Sequence, residues 1–342
     1  MKKTNRFLAA TTLVSVLFTS YQVNAAYTQM ISFGDSLSDT GNRYAESQVS
    51  GAITSEYPNG IQVGQPYYQG RYSSGILWNE VLANNLVAAG ALNGGVPTPS
   101  FNGGTNYAYG GARVITDTTY AGLFRPSVSS QVNNYLAANG GVADPNAIFT
   151  FTGGGNDLSA VISQEATVAD VQAASLGLVA AVETLVAAGA NAVIVSNVPD
   201  LGKAPVAVGN EFTASFLTAA SFNGLLTANG LGTQDEVHLF DAFGLHQVID
   251  ANPGDWGVTS TRGNCFADAG VSDGDPTPNC DGYVFTDDRH PSALSNQIFG
   301  DYVTSAALAM APAAVVPVPA ALPLFASALI GLGYLRRNTK NI

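Results

Sequence analysis

A serine hydroxyl becomes a nucleophile only when a base takes its proton, and acyl transfer also needs N–H donors where the carbonyl oxygen turns negative. The sequence carries candidates for each part. Ser36 lies in Gly34-Asp35-Ser36-Leu37-Ser38-Asp39-Thr40-Gly41-Asn42, directly after a short apolar run, where a strand followed by a Gly-Asp turn would project its hydroxyl. His290, in Asp287-Asp288-Arg289-His290-Pro291, is the candidate base. Asp287, three residues earlier, can reach the second ring nitrogen, hold the tautomer and stabilise the imidazolium; Asp288 is the alternative partner. Pro291 biases His290 toward an extended backbone and reads as the first residue of the next helix. For the oxyanion, Asn106-Tyr107-Ala108-Tyr109-Gly110-Gly111 offers a glycine N–H able to approach a ligand closely, from Gly111 or from Gly110. Ser36 can add its own N–H, and Asn156, in Gly154-Gly155-Asn156-Asp157, its side-chain amide. A second serine, Ser272 in Gly270-Val271-Ser272-Asp273-Gly274, fits the G-x-S-x-G pattern but lacks its context. No strand-like run precedes it, and Asp275-Pro276-Thr277-Pro278 blocks a following helix.

These residues must be positioned by elements, and the apolar pattern outlines them. Met30 to Phe33, Ala147 to Thr152, Ala192 to Val198 and Val237 to Phe240 are short apolar runs ended by glycine, proline or polar residues, as buried strands are. Between them Val168 to Ala188 and Phe212 to Ala228 have helical period and stop near Gly189 and Gly230, and Pro291 to Met310 forms a third such stretch. Apolar runs alternating with helices predict a mostly parallel sheet covered on both faces, with the ligand site beyond the carboxyl ends of the strands. Ser36 and Asn156 both fall just past such ends. No repeat and no Pro/Ser-rich linker divides residues 26–312, so one domain is expected there.

Charge and the chain ends set the surroundings. The net charge is −12, but six of the 13 basic residues lie near the termini, leaving seven against 25 acidic residues and a body of −18. Such a body repels polyanions, which disfavours nucleic acid as a partner. Residues 1–25 run from a basic start through an apolar stretch to Val23-Asn24-Ala25, the pattern of a cleaved secretory signal. In an exported protein Cys265 and Cys280 are expected to pair, closing a loop of about 15 residues worth roughly 3 kcal/mol; two free thiols are the alternative. No histidine has ligand spacing to these cysteines, so no metal site is expected. His238 and His246 read as ordinary surface or half-buried residues, and Tyr57, Tyr67, Tyr68, Tyr72 and Trp78 as either a substrate groove or a cover for the core.

In this order, the blocks around Ser36, Gly111, Asn156 and His290 resemble the GDSL, or SGNH, hydrolase family. Gly70-Arg71-Tyr72-Ser73-Ser74-Gly75-Ile76-Leu77-Trp78 and Tyr283-Val284-Phe285-Thr286-Asp287 are similar to segments of its lecithinase-like members, except at Thr286, where an aromatic residue is common. The resemblance implies a three-layer α/β/α sandwich that hydrolyses carboxylic esters without a cofactor. It assigns Ser36 as nucleophile and first oxyanion donor, Gly111 and Asn156 as further donors, His290 as base and Asp287 as its partner. Residues 313–342, with Val316-Pro317-Val318-Pro319, an apolar stretch and Arg336-Arg337, resemble the PEP-CTERM sorting signal of Gram-negative bacteria. That implies a transient inner-membrane anchor, an exosortase-type sorting enzyme as partner, and delivery to the cell surface or an extracellular matrix. Lipid-like or short acyl esters are the expected substrates, with acetylated exopolysaccharide as the alternative. A non-catalytic glycan-binding matrix protein is the rival reading.

Overall fold

Four short runs of β-branched and aromatic residues form the centre of the fold. In the computed structural model, which describes residues 26–50, 66–120 and 122–311, these are β1 (Met30–Phe33), β4 (Ile148–Phe151), β5 (Val193–Ser196) and β6 (Val237–Phe240). Between β1 and β4 lie a small hairpin of β2 (Thr118–Tyr120) and β3 (Leu123–Arg125) and helices α1 (Asn42–Ser50), α2 (Trp78–Ala88) and α3 (Val128–Ala138). Helices α4 (Gly155–Ile162) and α5 (Val168–Ala187) connect β4 to β5. A helical stretch of α6 (Glu211–Phe216), a π-helical segment Leu217–Asn223 and α7 (Gly224–Ala228) leads to β6. After β6 come α8 (Ala242–Ala251), β7 (Ser260–Asn264), α9 (Cys265–Ala269), β8 (Tyr283–Phe285) and α10 (Ala293–Ala309). The expected signal at 1–25, the tail at 313–342 and Tyr57 lie outside the described residues.

The central sheet has the order β1-β4-β5-β6 and is parallel throughout, with Met30 opposite Ile148, Phe149 opposite Val193 and Val193 opposite Val237. Successive side chains point to opposite faces, so the strands feed two cores. Ile31, Phe33, Phe149, Phe151, Val193 and Val195 pack with α3, α4, α5 and α7. On the other face Met30, Ile148, Ile194 and Phe240 pack with α2, α8 and α10. The result is the expected three-layer α/β/α arrangement. Helix α5 is long and apolar enough to cross a membrane by length and composition, yet its Val171, Leu178, Val182 and Leu185 are buried in the first core. Its start is a capping box, in which Thr167 Oγ1 accepts from the Asp170 N–H and Asp170 Oδ2 from the Thr167 N–H.

Three local expectations change. The stretch read as one helix from Phe212 to Ala228 contains the π-helical segment. Pro291 is not the first helical residue: α10 begins at Ala293, and Ser292 caps it by accepting from the Ser295 N–H at 3.2 Å. The apolar pattern does not mark the parallel pair β7 and β8: β7 is built from half-buried polar residues such as Ser260, Thr261 and Asn264, and β8 is only three residues long.

Cys265 and Cys280 form the expected disulfide. Ser272 follows α9 on an exposed turn, where its N–H donates to Asp275 Oδ2 at 2.7 Å.

Candidate active site

Because β1 and β4 are parallel neighbours, the loops leaving their carboxyl ends start side by side. The first holds Ser36. Gly34 turns the chain there at φ +147°, and a Cβ at Gly34 would stand 2.1 Å from Thr152 Oγ1, so only glycine fits. Asp35 Oδ1 accepts from the Leu37 N–H at 3.1 Å and from Thr152 Oγ1 at 3.2 Å, tying this loop to the end of β4. The second loop reaches α4 through Gly154 at φ +105°, where a Cβ would fall 2.2 Å from the Phe222 ring, and it brings Asn156 to the cleft beside Ser36.

The segment Asn106 to Gly111 runs along β1 and past its end, with the Tyr107 N–H donating to Ser32 O at 2.7 Å and the Tyr109 N–H to Gly34 O at 3.0 Å. Asp39 joins this segment to the Ser36 loop. One carboxylate oxygen accepts from the Gly41 and Asn42 N–H groups, the other from those of Arg43 and Gly110. Burial pushes the Asp39 carboxyl up to about 6 against the pull of these four donors. The Gly110 N–H is therefore engaged, at 2.8 Å, whereas the Gly111 N–H donates to nothing among the described residues, and neither does that of Ser36. Asn156 Nδ2 donates to Ala112 O at 2.9 Å, which uses one of its two N–H bonds and holds the amide against the Gly111 turn.

His290 and Asp287 arrive from the far end of the chain on the loop between β8 and α10. The block Gly70 to Trp78 docks that loop. Ser73 Oγ donates to Pro291 O, the Ser74 N–H to Thr286 Oγ1, and the Trp78 N–H to Asn296 Oδ1. The Trp78 ring N–H and Asn79 Nδ2 in turn reach Ser38 on the Ser36 loop. Thr286, where the resemblance leads one to expect an aromatic residue, is fully buried and serves as this clamp.

With the loops so held, His290 Nε2 lies 2.8 Å from Ser36 Oγ, and His290 Nδ1 lies 2.7 Å from Asp287 Oδ2. Asp287 Oδ1 accepts from the Arg289 and His290 N–H groups at 2.8 and 2.7 Å. Asp288 instead pairs with the Arg289 guanidinium at 2.9 Å, so Asp287 is the carboxylate on the imidazole. Sequence reasoning missed a fourth donor, the Tyr67 hydroxyl, which hydrogen-bonds Asp287 Oδ2. Burial alone would raise the Asp287 carboxyl. The His290 charge and the hydrogen bonds from His290, Tyr67 and Arg289 outweigh it and hold the group below the usual carboxylate range. Tyr67 and Tyr72 are both buried, the latter with its ring 5.1 Å from that of His290, so they cover the paired residues and do not line an open groove.

Ser36, Asn156 and His290 border one cleft of about 650 Å³, part of it open to solvent, with Leu37, Val198, Leu201, Val284, Phe285 and Phe299 among its walls. His246 also borders it and is only 4% exposed, in contrast to the surface or half-buried place expected for it; His238 is half-buried on β6. Such an arrangement can activate a serine oxygen and present N–H groups to a neighbouring oxyanion.

The chain is similar to several curated proteins. It is 30% identical to "Lipase 1" of Photorhabdus luminescens over 200 residues, which cover 58% of this chain and 26% of that protein. It is 31% identical to "Esterase EstA" of Pseudomonas aeruginosa over 333 residues, covering 87% of this chain and 50% of the esterase. A "Phosphatidylcholine-sterol acyltransferase" of Aeromonas hydrophila is 26% identical over 267 residues, 76% of this chain and 72% of that protein. The chain thus spans half or less of the lipase and the esterase. Residues 30–303, which include every block assembled around the cleft, match the model of GDSL-like lipases and acylhydrolases, and the chain belongs to that family.

Proposed function

We propose that this chain is an exported serine esterase that hydrolyses lipid-like acyl esters through an acyl-enzyme on Ser36. The observation that carries the reading is the unbroken hydrogen-bonded line from Asp287 Oδ2 through both ring nitrogens of His290 to Ser36 Oγ. Ser36 Oγ attacks the ester carbonyl carbon while its proton passes to His290 Nε2, and the Asp287 carboxylate stabilises the imidazolium that forms. The carbonyl oxygen, now negative, takes hydrogen bonds from the Ser36 and Gly111 N–H groups and from the second N–H of Asn156 Nδ2, each donor worth about 10²–10³ in rate. The tetrahedral adduct then collapses, its ester C–O bond breaks, and the alcohol leaves with the proton held by His290. Water, deprotonated by His290, attacks the acyl carbon in the second half, and Ser36 recovers its proton as the acid departs.

The apolar cleft walls support a lipid-like acyl chain over acetyl groups on a polysaccharide. Similarity to a protein named for phosphatidylcholine supports the lecithinase-like assignment. Export through the signal at residues 1–25, with sorting and transient anchoring through residues 313–342, is part of the same reading, and a disulfide in an otherwise cysteine-free chain supports it. Replacing Ser36 with alanine should abolish fluorophosphonate labelling and lower hydrolysis of p-nitrophenyl butyrate at least about 10³-fold. An unchanged rate in Ser36→Ala overturns the enzyme, and absence of labelling in folded wild type favours the glycan-binding rival. Release of acetate from acetylated polysaccharide in preference to fatty acid from lysophospholipid would move the substrate class.

A further inference from the structure

His246 sits on α8 with its ring in the wall of the catalytic cleft, 4% exposed, and neither Nδ1 nor Nε2 has a hydrogen-bond partner among the described residues. A buried imidazole with both nitrogens unpartnered is uncommon, because each unmet polar atom carries a desolvation cost. The Asp200 carboxylate of the same wall does not serve it. Asp200 already accepts from the Gly202 N–H at 3.0 Å, from Ser215 Oγ at 2.6 Å and from Gln247 Nε2. Burial lowers the His246 ring to about 4, so at neutral pH it is uncharged, with one N–H donor and one lone pair. On its other side the ring packs against Phe285, 5.7 Å between centroids.

We propose that His246 is a specificity-determining residue that reads a hydroxyl group on the acyl chain, so that the cleft prefers hydroxyacyl esters to plain acyl esters. The inference rests on the esterase reading above. The acyl limb is assigned to this pocket because it stays bound to Ser36 until water arrives, whereas the alcohol must leave after the first step. The chemistry of the wall selects the group. An anion is repelled by the buried Asp200 carboxylate, and the cations nearby are engaged, Lys203 by Asp250, Arg289 by Asp288 and Arg262 by the Gly202 carbonyl. A carbonyl can use only the N–H. A hydroxyl donates and accepts, and so matches whichever ring nitrogen faces it. The apolar walls beside it, Leu201, Val284, Phe285 and Phe299, accommodate the methylenes on either side of that hydroxyl.

The test compares p-nitrophenyl octanoate with its 3-, 6-, 7- and 8-hydroxy derivatives, in wild type and in His246→Leu, reading the ratio of kcat/KM within each protein. In wild type at least one hydroxy isomer should exceed the plain chain by about 10- to 100-fold, the effect of one hydrogen bond to a buried group. In His246→Leu the ratio should fall to one or below. A ratio near one for all isomers in wild type, or a preference that survives the substitution, overturns the proposal. A second measurement does not depend on the variant folding. Ser36 is phosphonylated with a fluorophosphonate carrying an octyl or a hydroxyoctyl chain, and the ¹⁵N spectrum of the three histidines is recorded. The His246 signals should move with the hydroxylated chain alone; identical spectra, as a bridging water in both adducts would give, overturn it. Wild-type hydrolysis of p-nitrophenyl acetate separates the two readings, since its loss sinks the esterase itself while its presence leaves only the hydroxyl preference in question.

Discussion

Tyr67→Phe isolates one hydrogen bond of the carboxylate behind the imidazole. The substitution deletes the hydroxyl that donates to Asp287 Oδ2 and leaves the ring, packed 5.1 Å from Phe266 and 5.9 Å from Tyr72, in place. Asp287 keeps its bonds from His290 Nδ1 and from the His290 and Arg289 N–H groups. A hydrogen bond to a charged, buried acceptor contributes about 1.5–3 kcal/mol, so the variant should lose about 2 kcal/mol at pH 7, a fall of roughly 4 °C in Tm for a domain of this size. The sign with pH follows from the direction of the shift. Asp287 lies below its unfolded value of about 3.9, so its contribution is present above that value and is lost as pH falls through the folded one. Removing Tyr67's bond raises the folded value, so the gap between wild type and variant should be full at pH 7 and close as the pH drops below about 4. Because Oδ2 also orients His290, kcat on p-nitrophenyl butyrate should fall by about 10-fold. Thermal melts from pH 7 to pH 3.5 and steady-state rates measure both. An equal Tm at pH 7, or a gap that widens in acid, refutes the role given to Tyr67.

Burial raises the Asp157 carboxyl to about 7, so the folded protein binds a proton that the unfolded chain releases near pH 4, and stability should fall as pH rises across that interval. Asp157→Asn, which can keep the acceptor for the Val114 N–H, should flatten this slope and be more stable than wild type at pH 8 by about 2 kcal/mol in urea titrations; parallel pH profiles would contradict it. Gly154→Ala must adopt a left-handed φ and push against the Phe222 ring, and should cost about 2–4 kcal/mol by chemical denaturation. Reducing the Cys265–Cys280 disulfide frees a loop spanned by 15 residues and should lower stability by about 3 kcal/mol in urea with and without reductant.

Much of the scaffold was legible because its signals are local. The runs at Met30–Phe33 and Val237–Phe240 coincide with β1 and β6, and those at Ala147 and Ala192 contain β4 and β5. A strand buried on both faces must be apolar along its whole length, and a parallel neighbour needs a helical crossover, so composition and spacing alone specify these elements and put Ser36 and Asn156 at one edge. The pairing β7–β8 gave no such signal, since the half-buried polar β7 looks like loop and β8 is only three residues long. Choices between adjacent residues were decided only by tertiary structure. Asp287 and Asp288 are equivalent in sequence, and Arg289 separates them by claiming the second. Gly110 and Gly111 differ because Asp39, 71 residues from Gly110, takes the Gly110 N–H, while that of Gly111 has no acceptor among the described residues. Tyr67 meets Asp287 across 220 residues, and His246 reaches the cleft wall through the packing of α8. Local sequence sets backbone conformation and burial through contacts between near neighbours. Which side chain meets which across hundreds of residues is set only when the layers close, and the partners of Asp287 and the exposure of His246 are properties of that closure.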